Sequence, residues 1–326
     1  MKKTVLIYRK DRANFKSIEK VFDAITQELL LDKVKLPQHS TSILNVLKNI
    51  FFLRNVESDI IHITGDAHYS ILCLPKYKKV VLTIHDCVLL HRLSKYTLKY
   101  WVYYFFWYKL PMIRADVITT ISEKTKQDLL KISEKITDKI KIIYNPIDNE
   151  FDKIEKGFNT AYPILLQVGT GFNKNLENII HAIASIKCKL IIVGKLCRSQ
   201  EQLLNQFHID YDNFFDIDKS ILIEKYIESD IVLFASTYEG FGLPILEAQS
   251  IGRVLITSKI SPMIEIAGEG AYFVDPFDPN SIRKAILELL NNDSLREKLI
   301  THGYSNLIRF ELSSIAQQYA AIYNYI

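Results

Sequence analysis

Short apolar segments alternate along the chain with longer stretches in which apolar residues recur at helical spacing. The short segments are rich in Val and Ile and are apolar at consecutive positions, which is typical of parallel strands covered by helices on both faces. This alternation predicts an α/β architecture. The predicted strands are Thr4–Tyr8, Asp59–Ile63, Val80–Ile84, Asp116–Thr120, Ile140–Tyr144, Ile164–Val168, Leu190–Val193, Ile231–Ala235, Val254–Thr257 and Tyr272–Val274.

A turn signal at Asn145-Pro146-Ile147-Asp148 separates two series of these strands. Because the chain has 326 residues, two domains of ordinary size are expected. We predict two Rossmann-like domains, over residues 1–148 and 163–305, that face each other across a cleft. Residues 149–162 are predicted to be a linker. A C-terminal helix is predicted within 306–326, packed either back on the N-terminal domain or on the second one.

Composition places the chain among ordinary globular proteins, with 48% apolar and 24% charged residues. It excludes a disordered chain, a fibre and a disulfide scaffold. The four cysteines are scattered without a CxxC pair, which argues against a zinc ribbon and a dithiol redox site. The apolar stretch near the N-terminus is too short for a signal peptide, and no segment reaches the length of a membrane span. We therefore expect a cytoplasmic protein, in peripheral contact with the membrane or free of it.

The basic residues are concentrated in the first half of the chain. Residues 1–155 hold 26 Lys and Arg against 18 Asp and Glu, whereas residues 156–326 hold 15 against 19. Within 76–114 eight basic residues accompany a single acid, Asp86. Such asymmetry indicates an anionic partner, which could be a phosphate-bearing substrate, an anionic membrane or nucleic acid. No nucleic-acid-binding module surrounds the patch, so no nucleic-acid partner is expected.

An aromatic stretch, Tyr96–Leu110, lies inside this basic region. Tyr, Trp and Phe occupy nearly all sides of the helix that it predicts. It is either a helix at a membrane interface, with cations facing anionic lipid, or the main core helix of the first domain. The sequence leaves both interpretations open.

The segment Ser236–Ala248 carries the most specific chemistry, because it directly follows a predicted strand. Gly240 and Gly242 allow the backbone to approach a ligand closely, and Pro244 suits the start of a helix. Glu247 is expected in the first turn of that helix. A diphosphate with sugar hydroxyl groups would fit this layout, since the helix N-terminus attracts anions and the carboxylates accept hydrogen bonds from hydroxyl groups. The alternative is a strand–loop–helix unit with two solvated glutamates.

The run Glu239-Gly240-Phe241-Gly242-Leu243-Pro244-Ile245-Leu246-Glu247-Ala248 resembles the signature of the retaining glycosyltransferases of family 4, which have the GT-B fold. Further segments resemble that family in the same order along the chain. They are Ile164–Lys174, Leu190–Gly194, Ala115–Ser122, Ile142–Asn145, Pro262–Gly268 and Val274–Pro276.

The resemblance implies roles for individual residues. Glu239 would lie beside the transferred sugar as a catalytic residue, and Glu247 would bind the ribose hydroxyl groups. Lys174 would neutralise the diphosphate leaving group. The donor-binding set that the resemblance implies is Gly169, Thr170, Lys174, Gly240, Phe241, Gly242, Leu243 and Glu247.

The chain departs from the family pattern at two positions. Thr170 stands where many members have an arginine beside the phosphates, so either Lys174 acts with backbone amides there or another basic side chain, such as Lys195 or Arg253, contributes. The loop after the first strand lacks the usual Gly-Gly pair and carries Arg9 and Arg12 instead. These two residues are predicted to bind the acceptor; the alternative is a solvated basic loop.

His85 follows the predicted strand Val80–Ile84, at the edge where parallel sheets bind ligands. The family often has a histidine here, so His85 is predicted to be catalytic, either orienting a sugar hydroxyl or acting through its carbonyl. Two DxD matches, Asp210–Asp212 and Asp216–Asp218, are short enough to arise by chance. The GT-B fold that the resemblance implies needs no metal, so we expect no metal and no cofactor.

The resemblance implies a retaining glycosyltransferase. It would move a sugar from a nucleotide diphosphate sugar to a glycan or lipid-linked glycan, in the assembly of cell-envelope polysaccharide. The alternatives are a nucleotide-sugar epimerase or hydrolase on the same fold, and a non-catalytic homologue that binds the donor. The sequence identifies neither the base nor the sugar of the donor.

Overall fold

The computed structural model describes residues 2–10 and 17–326. The chain forms two compact units, one of Met1–Pro146 with Phe310–Ile326 and one of Ile147–Arg309. The strands are β1 (Thr4–Tyr8), β2 (Asp32–Lys35), β3 (Ile60–Ile63), β4 (Lys79–Ile84), β5 (Val117–Thr120), β6 (Ile140–Ile142), β7 (Ile164–Val168), β8 (Lys189–Val193), β9 (Asp210–Phe214), β10 (Ile231–Phe234), β11 (Val254–Ser258) and β12 (Tyr272–Val274).

The α-helices cover the faces of the two sheets. They are α1 (Ser17–Glu28), α2 (Ile43–Arg54), α3 (Val88–Arg92), α4 (Leu98–Val102), α5 (Leu110–Arg114), α6 (Glu123–Ile132), α7 (Leu176–Ile183), α8 (Arg198–Gln206), α9 (Lys219–Glu228), α10 (Leu243–Ile251), α11 (Met263–Ala267), α12 (Pro279–Asn291), α13 (Asp293–Leu307) and α14 (Leu312–Tyr325). Within the described residues, no helix combines the length and the apolarity needed to cross a bilayer.

Each unit contains a sheet of six parallel strands. The order is β2-β1-β3-β4-β5-β6 in the first unit and β12-β11-β10-β7-β8-β9 in the second. Read from β9, the second order is the one found in dinucleotide-binding Rossmann domains, with the reversal between β7 and β10. The α/β prediction with two Rossmann-like units is therefore confirmed.

Every predicted strand is present, with ends shifted by two residues at most. The prediction missed β2 and β9, which lie at the open edges of their sheets. Both have polar sequences, Asp-Lys-Val-Lys and Asp-Tyr-Asp-Asn-Phe, and none of their residues is fully buried. An edge strand needs no continuous apolar run, so the pattern that reveals central strands does not mark it.

The C-terminal helix α14 packs back on the first unit, against α1. Ile315, Tyr319 and Ile322 join Phe22 and Ile25 of α1 in one buried cluster beneath the sheet. This confirms one of the two placements predicted for the helix, which begins at Leu312. The segment 149–162, predicted to be a linker, lies within the second unit.

Candidate active site

The candidate site lies in the second unit, at the point where the strand order reverses. Strands β7 and β10 are neighbours, with Leu165 opposite Ile231. In open parallel sheets ligands bind beyond the carboxyl ends of the strands at such a reversal. Two loops meet there: residues 169–175 after β7 and residues 235–242 after β10.

The first loop is held in shape by its own lysine and by a buried glutamine. Gly169 has a φ of 92°, and a Cβ there would lie 2.9 Å from Lys174 Cγ. The Gln167 side-chain amide donates to the carbonyl oxygens of Gly169 and Lys174, both at 3.0 Å. The loop therefore closes tightly around the stem of Lys174, and a side chain at position 169 would collide with it.

The second loop is tied directly to the first. The Thr237 amide donates to the carbonyl of Asn173 at 2.8 Å. In return, the Asn173 side-chain amide donates to the Tyr238 carbonyl at 2.9 Å and to Glu239 Oε1 at 3.3 Å. These reciprocal bonds set the distance between the 169–175 loop and the 235–242 loop.

Lys174 and Glu239, which are 65 residues apart, form an ion pair. Lys174 Nζ lies 2.7 Å from Glu239 Oε1, and both side chains are mostly buried. Nζ also lies 4.7 Å from the ring centroid of Phe234, within the range of a cation–π contact. The ammonium group is thereby fixed at the carboxyl ends of β7 and β10. A fixed cation in this position can stabilise an oxyanion that develops nearby.

Glu247 is the fifth residue of α10 and lies in its second turn, so its predicted place in the first turn is wrong. The helix begins at Leu243. Gly242 is the last residue of the loop and has a φ of 106°. Pro244 stands at the start of the helix, as predicted.

The carboxyl group of Glu247 is held by a tyrosine of α9. The Tyr226 hydroxyl donates to Glu247 Oε2 at 2.6 Å, and the Tyr226 side chain is fully buried. Desolvation raises the pKa of Glu247 above its usual range, while the bond from Tyr226 and the charges of Lys174 and Lys219 act in the opposite direction. Lys219 in turn pairs with Asp148 and Glu150.

Sequence reasoning missed Tyr226, Asn173 and Gln167. Asn173 stands one residue before the predicted Lys174, and that proximity is the signal that could have found it. Tyr226 carries no such signal, because it lies on α9, outside every motif of the sequence. Of the other predicted donor residues, Thr170 donates its hydroxyl to the Lys195 carbonyl at 2.6 Å, and Phe241 is buried.

His85 lies in the first unit, directly after β4 as predicted. Its Nε2 donates to the Thr64 carbonyl at 2.8 Å, which leaves Nδ1 as the acceptor of the neutral ring. Burial lowers the pKa of His85. The backbone carbonyl of His85 accepts a hydrogen bond from the Thr125 hydroxyl at 3.0 Å.

Arg9 directly follows β1, at the strand reversal of the first sheet. Its Nε lies 2.6 Å from Glu19 Oε1, and Nη1 lies 4.0 Å from Asp66 Oδ2. The guanidinium is therefore paired with carboxylates of its own unit, and its predicted role toward an acceptor stays a prediction. Arg12 lies outside the described residues.

The first DxD match lies on the edge strand β9, where each carboxylate has a protein partner. Asp210 accepts a hydrogen bond from the Tyr162 hydroxyl, and Asp212 Oδ2 lies 2.7 Å from Lys189 Nζ. Over residues 2–10 and 17–326, no group of three or more His, Cys, Asp or Glu side chains is arranged to hold a metal ion.

Two family models match the chain and together span most of it. The model described as glycosyl transferases group 1 matches residues 148–306, and the one described as glycosyltransferase family 4 matches residues 14–151. The chain belongs to glycosyltransferase family 4. In this member of family 4, the group 1 match contains both loops of the candidate site.

Two curated relatives illustrate the likeness. An uncharacterised glycosyltransferase of Methanocaldococcus jannaschii is 25% identical over 63% of this chain and 59% of its own length. The O-antigen chain mannosyltransferase RfbU of Salmonella typhimurium is 28% identical over 65% of this chain and 61% of its own length. The chain thus matches about three fifths of the length of these relatives.

A solved structure shares the fold over nearly the whole chain. HepE of Anabaena, solved in complex with UDP and glucose, superimposes with a TM-score of 0.78 at 16% identity, covering 99% of this chain and 100% of that one. The fold of this family 4 member is therefore GT-B, as the resemblance implied.

Proposed function

We propose that this protein transfers a sugar from a nucleotide diphosphate sugar to a glycan or lipid-linked glycan, with retention at the anomeric carbon and without a metal ion. The observation that carries the proposal is the juxtaposition of Lys174 and Glu239 at the strand reversal, with Glu247 on the helix that follows. These are the charges that a diphosphate and two sets of sugar hydroxyl groups require.

The donor diphosphate would lie against Lys174 and the backbone of the 169–175 loop. Negative charge on the diphosphate grows as the bond to the sugar breaks, and the fixed ammonium group offsets that charge. The ammonium group would take the role that a metal ion has in other enzymes, which supports a reaction without a metal ion. Thr170 lacks the charge of the arginine that many members have there. Lys174 would therefore supply a larger share of the stabilisation of the diphosphate charge.

Glu239 and Glu247 would accept hydrogen bonds from hydroxyl groups at the two ends of the donor. Glu239 is oriented by Asn173 and Lys174, and it would face the transferred sugar. Glu247, held by Tyr226, would take the ribose hydroxyl groups. Arrival of the diphosphate would draw Lys174 toward the phosphates and free Glu239 for the sugar.

The first unit would bind the acceptor and supply His85. Neutral His85 has its Nδ1 available as a hydrogen-bond acceptor for a sugar hydroxyl, since Nε2 is committed to Thr64. The mannosyltransferase relative acts on O-antigen chains by its name, and HepE was solved with UDP and glucose. The bound UDP and glucose of HepE support a nucleotide-sugar donor, and the name of the mannosyltransferase supports a glycan acceptor in cell-envelope polysaccharide assembly.

Thermal shift with UDP-, GDP-, ADP- and TDP-sugars, followed by product analysis, tests this function. One sugar nucleotide should raise the melting temperature, and with a glycan acceptor it should give a product of unchanged anomeric configuration by NMR. Glu239→Gln should keep nucleotide binding and lose product formation. Lys174→Met should weaken binding and slow turnover by roughly a hundredfold.

Lys189→Met is the matched control. Lys189, the first residue of β8, forms an ion pair of the same length with Asp212 on β9, away from the candidate site. Sugar release or epimerisation with no acceptor present would instead identify the hydrolase or epimerase alternative. Binding of a sugar nucleotide without turnover on any acceptor would identify a non-catalytic homologue. If no sugar nucleotide binds and Lys174→Met behaves as Lys189→Met, the assignment of the donor site is wrong.

A further inference from the structure

Helix α2 of the first unit presents apolar side chains to solvent. Ile43, Leu47 and Phe51 are 80%, 43% and 62% exposed and follow one another at intervals of four residues. Its opposite side is anchored in the core by Leu53 and by Asn49, whose amide groups bond to Gln38. A surface helix normally carries polar residues on its solvent-facing side. The solvent-facing side of α2 is apolar instead, which is typical of a surface that binds a partner.

The aromatic stretch presents a second apolar stripe. Residues 98–114 form a continuous helical segment, the aromatic helix, whose middle part Tyr103–Lys109 has π-helical hydrogen bonding. Tyr100 and Tyr108 are buried, whereas Trp101 is 45% exposed. Phe105 and Phe106 continue the exposed stripe along the helix. The core-helix interpretation of the sequence is therefore confirmed for one side of this helix, and the other side is exposed.

The two stripes belong to the same side of the first unit. Tyr69 links the helices, because its hydroxyl accepts a hydrogen bond from Asn49 at 2.9 Å and its ring lies 4.7 Å from that of Trp107. Both helices contribute to the same buried cluster over one face of the sheet. Helices α1 and α14 pack into the cluster on the other face. The outer sides of α2 and the aromatic helix consequently point away from the sheet together.

The two segments that carry the stripes hold basic charges and no acidic ones. Residues 36–56 and 87–115 contain no Asp or Glu, and they contribute Lys48, Arg54, Lys95, Lys99 and Lys109 among their basic residues. Lys109 Nζ lies 5.8 Å and 5.6 Å from the ring centroids of Tyr104 and Phe105. Apolar and aromatic side chains bordered by cations are the composition of helices that lie at the surface of anionic bilayers.

We propose that Ile43, Leu47, Phe51, Trp101, Phe105 and Phe106, with the surrounding lysines, form a docking surface for an anionic lipid bilayer. The sequence pointed only to the aromatic stretch, and α2 is the part that the tertiary structure adds. A second copy of the chain fits this surface poorly, because a symmetric contact would press the basic rim against itself. The proposal goes beyond the proposed function and does not depend on which donor is used.

Flotation of the full chain with vesicles tests the docking surface. The chain should float with vesicles of phosphatidylcholine and phosphatidylglycerol in equal parts, and much less with phosphatidylcholine alone. Added salt should weaken the binding. Leu47→Glu and, separately, Lys99→Glu should each weaken it roughly tenfold.

Leu287→Glu is the matched control for Leu47→Glu, since Leu287 on α12 is 42% exposed and lies in the other unit. Lys20→Glu on α1 serves in the same way for Lys99→Glu. All four positions are exposed, so unchanged melting temperatures should show that the variants remain folded.

Three results would overturn the proposal. The first is no flotation with anionic vesicles at low salt. The second is undiminished binding by a Leu47→Glu, Trp101→Glu double variant. The third is a wild-type dimer that Leu47→Glu converts to a monomer without any vesicle binding, which would make this surface a contact between copies of the chain.

Discussion

The hydroxyl group of Tyr226 donates a 2.6 Å hydrogen bond to Glu247 Oε2 from a fully buried ring. Burial raises the pKa of Tyr226 well above its ordinary value, so the tyrosine remains a donor at any working pH. One oxygen of Glu247 is thereby occupied by the protein, and the carboxylate is oriented before a ligand arrives. Orienting a binding group from a rigid element reduces the ordering cost of binding.

We expect Tyr226→Phe to weaken donor binding roughly tenfold, the equivalent of about 1–1.5 kcal/mol for the lost hydrogen bond. Turnover at saturating donor should change little, since Tyr226 acts through Glu247. Loss of the bond also raises the pKa of Glu247 further, because that bond lowers it. The acidic limb of the binding profile should therefore move to higher pH, which calorimetric titration of the donor at several pH values would measure.

The matched control for this substitution is Tyr272→Phe, which removes a 2.7 Å bond from a tyrosine to Glu288 elsewhere in the same unit. It should leave donor affinity unchanged. A Tyr226→Phe variant with wild-type affinity and an unmoved pH profile would show that the bond has no positioning role.

The turn into α10 depends on a glycine that no other residue replaces without strain. Gly242 has a φ of 106°, and a Cβ there would lie 3.1 Å from both Phe234 Cε1 and Ile245 Cδ1. We expect Gly242→Ala to lower the free energy of unfolding by about 1–3 kcal/mol and to weaken donor binding as the loop shifts. Urea unfolding and thermal shift with donor would measure both effects.

Gly157→Ala provides the comparison, because a Cβ at Gly157 meets no atom within 4 Å. That variant should be as stable as the wild type. Equal stability of the two alanine variants would mean that the α10 turn tolerates a side chain, contrary to the steric argument.

The first unit should lose stability in mild acid through its buried histidines. His62 bonds to Tyr323 and Thr83, both at 2.7 Å, and burial lowers its pKa to about 3. Burial likewise lowers the pKa of His68 to about 4. In the unfolded chain these residues titrate near their ordinary pKa of about 6.5. Their neutral forms therefore favour folding above pH 6.5, and that contribution falls as the pH drops toward the folded-state values.

Between pH 7.5 and pH 5 each of these histidines should cost about 2 kcal/mol of unfolding free energy. Urea denaturation at intermediate pH values would measure the slope. His62→Gln should flatten part of it, although the variant is less stable at pH 7.5. An unfolding free energy that does not change over this range would contradict the assignment of His62 and His68 as neutral buried groups.

Local pattern predicted much of the site because its signature is continuous. The loop and helix from Glu239 to Glu247 follow one strand without interruption. The glycines and the proline therefore predicted the loop and the start of the helix, and only the turn that holds Glu247 was wrong. The role predicted for Lys174 comes from the resemblance to the family and not from local pattern. The bond from Tyr226 to Glu247 joins two helices, and no periodicity in either one signals it.

The sequence also shows the excess of basic residues in the first unit, but it does not show which partner they meet. The role of Arg9 toward an acceptor stays a prediction, and what the fold adds is its ion pair with Glu19, ten residues along the chain. The sequence of α2 has apolar residues on several sides, and it does not show which of these sides is buried. Exposure of Ile43, Leu47 and Phe51 is a property of packing.

The sequence alone determined the strands that lie inside the two sheets, their alternation with helices, and the motif that identifies the family. These features follow from short-range periodicity and turn chemistry, which act within a few residues. Tertiary structure decided the edge strands β2 and β9, the pairing of Lys174 with Glu239, the hold of Tyr226 on Glu247, and the side of α2 left open. Such relationships join residues tens of positions apart, and only the packing of whole elements brings them together.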